Sequence, residues 1–203
     1  DKNGRELWMS NGTDKTLMVK ALNNQNGSSN PGNFFVHQDY LLFTATQPAT
    51  GNELWVTKGV NGPSTQLLKD ISPGRQGSYP NNFIPLKDLT FLFNAGTDSL
   101  GSELWRSMVY NERPVLVKDI NPVGDGSPAN FCNVNGIVYF TASTVENGTE
   151  LWKSDGTAAG TVLVADLIEG TLSSQPSKLT ACNGRLFFSA FRRTITPAGV
   201  IME

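Results

Sequence analysis

Gly148-Thr149-Glu150-Leu151-Trp152-Lys153-Ser154-Asp155-Gly156-Thr157 decides the fold, because weaker forms of it stand at three other places in the chain. Gly4-Arg5-Glu6-Leu7-Trp8-Met9-Ser10-Asn11-Gly12-Thr13 is the first, Gly51-Asn52-Glu53-Leu54-Trp55-Val56-Thr57-Lys58-Gly59 the second, and Gly101-Ser102-Glu103-Leu104-Trp105-Arg106-Ser107 the third. The glutamates at 6, 53, 103 and 150 are 47, 50 and 47 residues apart, and all four tryptophans lie in these copies. A fixed period in this range marks an array of one supersecondary unit.

The fourth repeat shows what the unit is. Glu150 to Ser154 alternates as a short strand, and Asp155-Gly156 supplies the left-handed dihedrals of a tight reversal. Thr161 to Leu167 is a second strand rich in β-branched residues. A polar loop ends at Pro176, and two more strands flank Asn183-Gly184, a strong hairpin signal. The other repeats follow the same plan, with second strands at 16–20, 66–71 and 115–120. Their loops carry Gly27-Ser28 before Pro31, Gly77-Ser78 before Pro80, and Gly126-Ser127-Pro128. Their hairpin turns are His37-Gln38-Asp39, Lys87-Asp88 and Asn135-Gly136, and no helical period occurs. Four antiparallel strands per repeat of about 50 residues predicts an all-β chain, a β-propeller of four blades. The single domain covers residues 1–203, with repeats starting near Gly4, Gly51, Gly101 and Gly148. The Trp and the Phe/Tyr residues of the fourth strands are expected to pack sheet on sheet, because one blade cannot cover its own apolar faces.

The last residues, Gly199-Val200-Ile201-Met202-Glu203, fall where Glu-Leu-Trp would recur in degraded form. Two expectations follow. In one, the first Glu-Leu-Trp strand completes the last blade and closes a four-bladed ring. In the other, these are four blades of a longer chain's propeller.

Composition narrows function. The formal charge is −2, and no Lys/Arg run or basic stripe fits nucleic acid. No apolar run reaches the roughly 18 to 20 residues that span a bilayer. His37 is the only histidine, so His-based triads and two-His metal sites have no material here. Cys132 and Cys182 lie in the same hairpin region of adjacent repeats, two positions out of register, as a disulfide or as two buried thiols. Asn11-Gly12-Thr13, Asn26-Gly27-Ser28 and Asn147-Gly148-Thr149 are glycosylation sequons, of use only in a eukaryotic secretory pathway.

Glu-Leu-Trp-x-Ser-Asp-Gly-Thr, then Gly-Thr-x-Leu-Val-x-Asp, then Asn-Gly-x-Leu-Phe-Phe, resembles the ELWxxDGT repeat, also called the hyalin-like repeat. The likeness covers nearly the whole chain and is tightest at Glu150–Thr157 and Gly160–Asp166. Repeat two has Lys58-Gly59-Val60 in place of the Asp-Gly-Thr turn, and repeat three has Met108-Val109-Tyr110. The resemblance implies a secreted or cell-surface protein, mainly bacterial, with no common biochemical activity.

Asp70, Asp119 and Asp166 share one repeat position, which is Ala21 in the first repeat. If their strand is the innermost of each blade, three carboxylates face one channel and suit Ca²⁺, a hard cation that takes six to eight oxygens. Otherwise each caps a turn of its own loop. The repeated glutamates are expected to bind backbone amides or a Lys/Arg of their own blade, and the tryptophans to be core. Together these features predict a non-enzymatic extracellular module for adhesion, matrix or protein interaction. The alternative is a lectin-type glycan-binding propeller, with a glycan-cleaving enzyme third. The expected partner is an extracellular protein or a glycan.

Overall fold

A computed structural model describes residues 4–13, 15–23, 27–59, 64–109, 112–196 and 199–202. Asn26, Val60, Tyr110 and Glu203, which figure in the sequence reading, lie outside them. The described residues form 18 strands and no helix, so none is long and apolar enough to cross a membrane.

The first sheet is β1 (Leu7–Ser10) with β2 (Thr16–Lys20). β3 (Gly32–His37), β4 (Tyr40–Gln47), β5 (Gly51–Thr57) and β6 (Gln66–Lys69) follow as a four-stranded sheet in that order. β7 (Asn81–Pro85), β8 (Thr90–Thr97), β9 (Gly101–Met108) and β10 (Glu112–Lys118) make a third. β11 (Ala129–Val134), β12 (Ile137–Thr144), β13 (Gly148–Ser154) and β14 (Val162–Ala165) make a fourth. β15 (Ser177–Cys182) pairs with β16 (Arg185–Ser189), and β17 (Arg193–Thr196) with β18 (Gly199–Met202).

Sequence repeat and sheet are therefore half a repeat out of phase. Three of the Glu-Leu-Trp strands, β5, β9 and β13, pair with the strand before them in the chain: Phe43 faces Trp55 on β4–β5, and Phe140 faces Trp152 on β12–β13; β1 pairs with β2 alone among the described residues. The hairpin turns behave as their residues dictate. Asn135 and Gly136 have φ of 52° and 86°, and Asn183 and Gly184 have 49° and 70°, the all-positive pattern that follows strand twist. His37 ends β3 rather than sitting in the turn; it is buried and stacks on Phe35 with ring centroids 5.8 Å apart.

The chain divides into two compact units. The first is residues 1–81, 95–98 and 107–114, and the second is 82–94, 99–106 and 115–203. In the first unit, Leu7 and Val19 of the β1–β2 sheet, with Leu22 just after it, bury against Phe43, Ala45 and Trp55. In the second, Leu92, Leu104, Val117 and Ile120 bury against Val138, Phe140 and Trp152. This is the sheet-on-sheet packing expected of the aromatic positions, and Trp55, Trp105 and Trp152 are all core residues. Trp8 differs, with 56 % of its surface exposed.

Candidate functional site

The glutamate of each repeat is the most regular polar feature of the chain. Glu6, Glu53, Glu103 and Glu150 are all buried, on the strand whose Leu and Trp supply core. A buried carboxylate needs donors, and each finds them in the loop that follows the next strand. Leu22 N donates to Glu6 at 3.1 Å, Ser72 N to Glu53 at 3.1 Å, Ile120 N to Glu103 at 2.7 Å, and Leu167 N to Glu150 at 3.3 Å. A second amide comes from the far end of the same loop: Ser78 N at 2.9 Å, Gly126 N at 2.7 Å, and Ser174 N at 2.7 Å.

Three repeats add a hydroxyl. Ser29 and Ser78 donate through Oγ to Glu6 and Glu53, each at 2.5 Å, and Ser174 donates likewise to Glu150. The third repeat has Gly126 at that place. A Cβ there would lie 2.6 Å from Oε2 of Glu103, so the carboxylate itself fills the hydroxyl's space. Burial pushes the Glu53 carboxyl above its usual value of 4.5, against the pull of Ser78 and the backbone donors. Burial likewise pushes Glu103 up to about 7, with the Asp119 charge adding to it and the amides of Ile120, Gly126 and Asn121 opposing it.

The expected backbone pairing of these glutamates is present, but the serine was not read as their partner. The sequence pairs Ser28, Ser78 and Ser127 by their Gly-Ser step; the structure pairs Ser29, Ser78, Gly126 and Ser174. The usable signal was the next residue, because Asn30, Tyr79, Ser127 and Gln175 all take positive φ, 45° to 49°, just before a proline.

The three aspartates follow β6, β10 and β14, each at the sheet edge opposite β3, β7 or β11. In the second unit, successive sheets approach through the other edge: β15 lies beside β11, and Asn133 Nδ2 donates to the carbonyls of Pro85 and Leu86 at 2.7 and 3.0 Å. Asp119 and Asp166 thus follow strands roughly three strand spacings, about 14 Å, from the edge of approach. The premise of an innermost strand does not hold for them, and among the described residues no three His, Cys, Asp or Glu side chains gather as a metal site. Asp166 does cap its own loop, accepting from Gly170 N at 3.3 Å and from Asn147 Nδ2 at 2.9 Å. Asp70, Asp119 and Asp166 nonetheless share one feature, a buried Oδ1 without a hydrogen-bond partner.

The Asp-Gly-Thr turn is a hydrogen-bonded Asx turn. Oδ1 of Asp155 accepts from Thr157 N at 2.9 Å and Thr157 Oγ1 at 2.7 Å, which holds its carboxyl below the usual range. Asn11 does the same for Thr13. Before it, Ser10, Thr57 and Ser154 each accept the amide two residues on through their hydroxyls. Thr57 keeps that bond in repeat two, which is why Lys58-Gly59 can stand in for Asp-Gly. Cys132 and Cys182 are free thiols, and Cys182 is exposed rather than buried.

No protein-family model, curated protein or solved structure matches the chain.

Proposed function

We propose that the chain is a non-enzymatic, extracellular or cell-surface interaction module of the ELWxxDGT type, its sheets arranged as the four blades of a β-propeller. The supporting observation is the fate of the repeated acid. All four glutamates are buried and bound by their own loops, so the repeat signature is a folding element. What differs between repeats is the turn after the strand: Asn11-Gly12-Thr13, Lys58 and Thr157 are exposed, whereas Gly59 and Asp155 are half-buried and Gly156 is buried.

A lectin-type reading has one observation of its own. A cleft of about 230 Å³ is lined by Gln175, Ser177, Ser189, Ala190 and Phe191. An exposed aromatic face beside hydroxyls and an amide suits the mixed surface of a sugar. One experiment separates the readings: surface plasmon resonance against purified matrix proteins, with a glycan array in the same buffer. Saturable protein binding, weakened by substitutions in the variable turns, supports the interaction module. Glycan hits lost in Phe191→Ala favour the lectin. Glycan cleavage abolished by replacing two acidic residues would overturn both.

A further inference from the structure

One residue past each glutamate's loop partner, the chain presents a side chain to solvent on a fixed backbone. Asn30, Tyr79, Ser127 and Gln175 follow Ser29, Ser78, Gly126 and Ser174, precede a proline, and are all exposed. Each donates its amide to the residue before the repeated glutamate: the carbonyls of Arg5, Asn52, Ser102 and Thr149 accept at 3.2, 3.2, 2.8 and 3.3 Å. All four hold φ of 45° to 49°, so the backbone is shared and only the side chain changes.

Tyr79 is the one that does not suit its place. Asn tolerates a left-handed backbone, whereas a bulky residue is strained by it. The Tyr79 side chain is 63 % exposed and makes no hydrogen bond or ring contact among the described residues. The bonds of this residue run through its backbone, from its own amide to Asn52 O and from Asn81 Nδ2 to its carbonyl at 2.9 Å. Strain kept for a side chain that the fold does not use points to a role outside the fold.

A second exposed ring stands near it in the same unit. Asn33 Nδ2, on β3, donates to Pro80 O at 3.1 Å. Phe34 is one residue from that bond on one side, and Tyr79 is one residue from it on the other. A β-bulge re-aims Phe34: Asn33 and Phe34 together stand opposite Phe43, between the pairs Gly32–Thr44 and Phe35–Leu42. Phe34 rests on buried Phe43, with ring centroids 6.4 Å apart, and leaves 58 % of its surface exposed. Its counterparts Phe83 and Phe131 are half-buried. Asn33 and Asn81 flank the two rings, each with its Nδ2 engaged and its Oδ1 free to accept.

We infer that Tyr79 and Phe34 form an aromatic platform for a neutral glycan, an assignment that rests on the glycan-binding reading and extends it to a second place. A pyranose offers an apolar C–H face to an aromatic ring, and hydroxyls at its edge to the amide oxygens and the Tyr79 phenol. Asn33, Phe34, Tyr79 and Asn81 carry no charge, so the set suits a neutral sugar and not a sialylated or sulfated one. In the fourth repeat the same left-handed position, Gln175, lines the cleft that holds Phe191.

The test is NMR on the full chain with the methyl glycosides of glucose, galactose, mannose and N-acetylglucosamine, with cellobiose, chitobiose and lactose, and with sialyllactose and a heparin disaccharide as charged controls. The expected result is saturation transfer to the C–H face of at least one neutral sugar, with shifts of the Phe34 and Tyr79 ring resonances. Tyr79→Asn, which puts the residue of the first repeat on that backbone, should weaken binding about tenfold or more and leave Tm unchanged or higher. Phe34→Leu should weaken binding likewise, and Phe191→Ala should leave it intact. Binding unchanged in Tyr79→Asn, or a lower Tm in that variant, overturns the inference. Binding lost only in Phe191→Ala overturns it while the glycan-binding reading stands, and no bound neutral sugar ends both. A matrix protein held through Tyr79, with no sugar bound, gives the platform to a protein and overturns the glycan assignment.

Discussion

Replacing Ser78 by alanine tests whether the buried glutamate is held by the hydroxyl or only by the backbone. Ser78 is buried, its Oγ donates to Glu53 at 2.5 Å, and its amide donates to the other oxygen at 2.9 Å. The alanine keeps the amide and loses the hydroxyl. A hydrogen bond to a charged group is worth about 1.5–3 kcal/mol, and to a neutral one about 1 kcal/mol. The cost therefore depends on the state of Glu53. Burial raises its folded value above 4.5, so the stability it contributes is complete below 4.5 and is lost as pH rises through the folded value. Removing a donor raises that value further. The expected penalty is about 1 kcal/mol at low pH, where the acid is neutral, and about 2 kcal/mol in the alkaline range, where it is charged. In a chain of this size, 2 kcal/mol lowers Tm by about 4–8 °C. Thermal unfolding followed by tryptophan fluorescence reads it, since Trp55 is buried on the same strand as Glu53. A penalty under about 0.5 kcal/mol, or one equal at both ends of the pH range, would refute the reasoning.

Asp119→Asn should stabilise the chain by about 1 kcal/mol in the alkaline range, because it removes a charge that bears on Glu103; a loss of stability that appears only when Ca²⁺ is present would instead revive the cation reading of Asp70, Asp119 and Asp166. Lys118→Met should cost about 1 kcal/mol in thermal unfolding, since Lys118 both caps Thr161 O and lies 5.9 Å from the Trp152 ring centre. Cys182, exposed on β15, should label with a thiol reagent in the folded chain faster than half-buried Cys132, and the mass under non-reducing conditions should show no bridge.

The period, the hairpin turns and the aromatic core were legible because each depends on local chemistry that sequence prints directly. Asn135-Gly136 needs two positive dihedrals wherever it stands, and Trp152 needs a dry surface. Strand order was less accessible. The repeat begins at Glu-Leu-Trp by eye, but β4 pairs with β5 and β12 with β13, so the sheet begins half a repeat earlier. Nothing in a strand's own residues says which neighbour it takes. The same gap set the edge wrong for Asp119 and Asp166. The serine partner was lost to loop length: Glu to its loop partner runs 23, 25, 23 and 24 residues, so matching Gly-Ser steps slips by one. The fixed point is the left-handed residue before proline. Tyr79 holds φ of 49° there despite its bulk, which is strain the surrounding loop must impose.

The Lys-Asp step of the second strands looks like one motif and is two. Lys20, Lys69 and Lys118 reach into the following repeat, donating to Thr65 O, Pro114 O and Thr161 O at 2.8 to 3.0 Å. Lys20 and Lys118 also lie over the Trp55 and Trp152 rings, each 5.9 Å from the centre. The lysine addresses the next repeat, while in the fourth repeat the aspartate turns to its own loop, Asp166 accepting from Gly170 N at 3.3 Å. Two independent duties can be dropped independently. The first repeat keeps Lys20 and has Ala21 for the aspartate; the fourth keeps Asp166 and has Ala165 for the lysine. A motif with a single role would lose both residues together, so this pattern of loss fits two separate roles for the lysine and the aspartate.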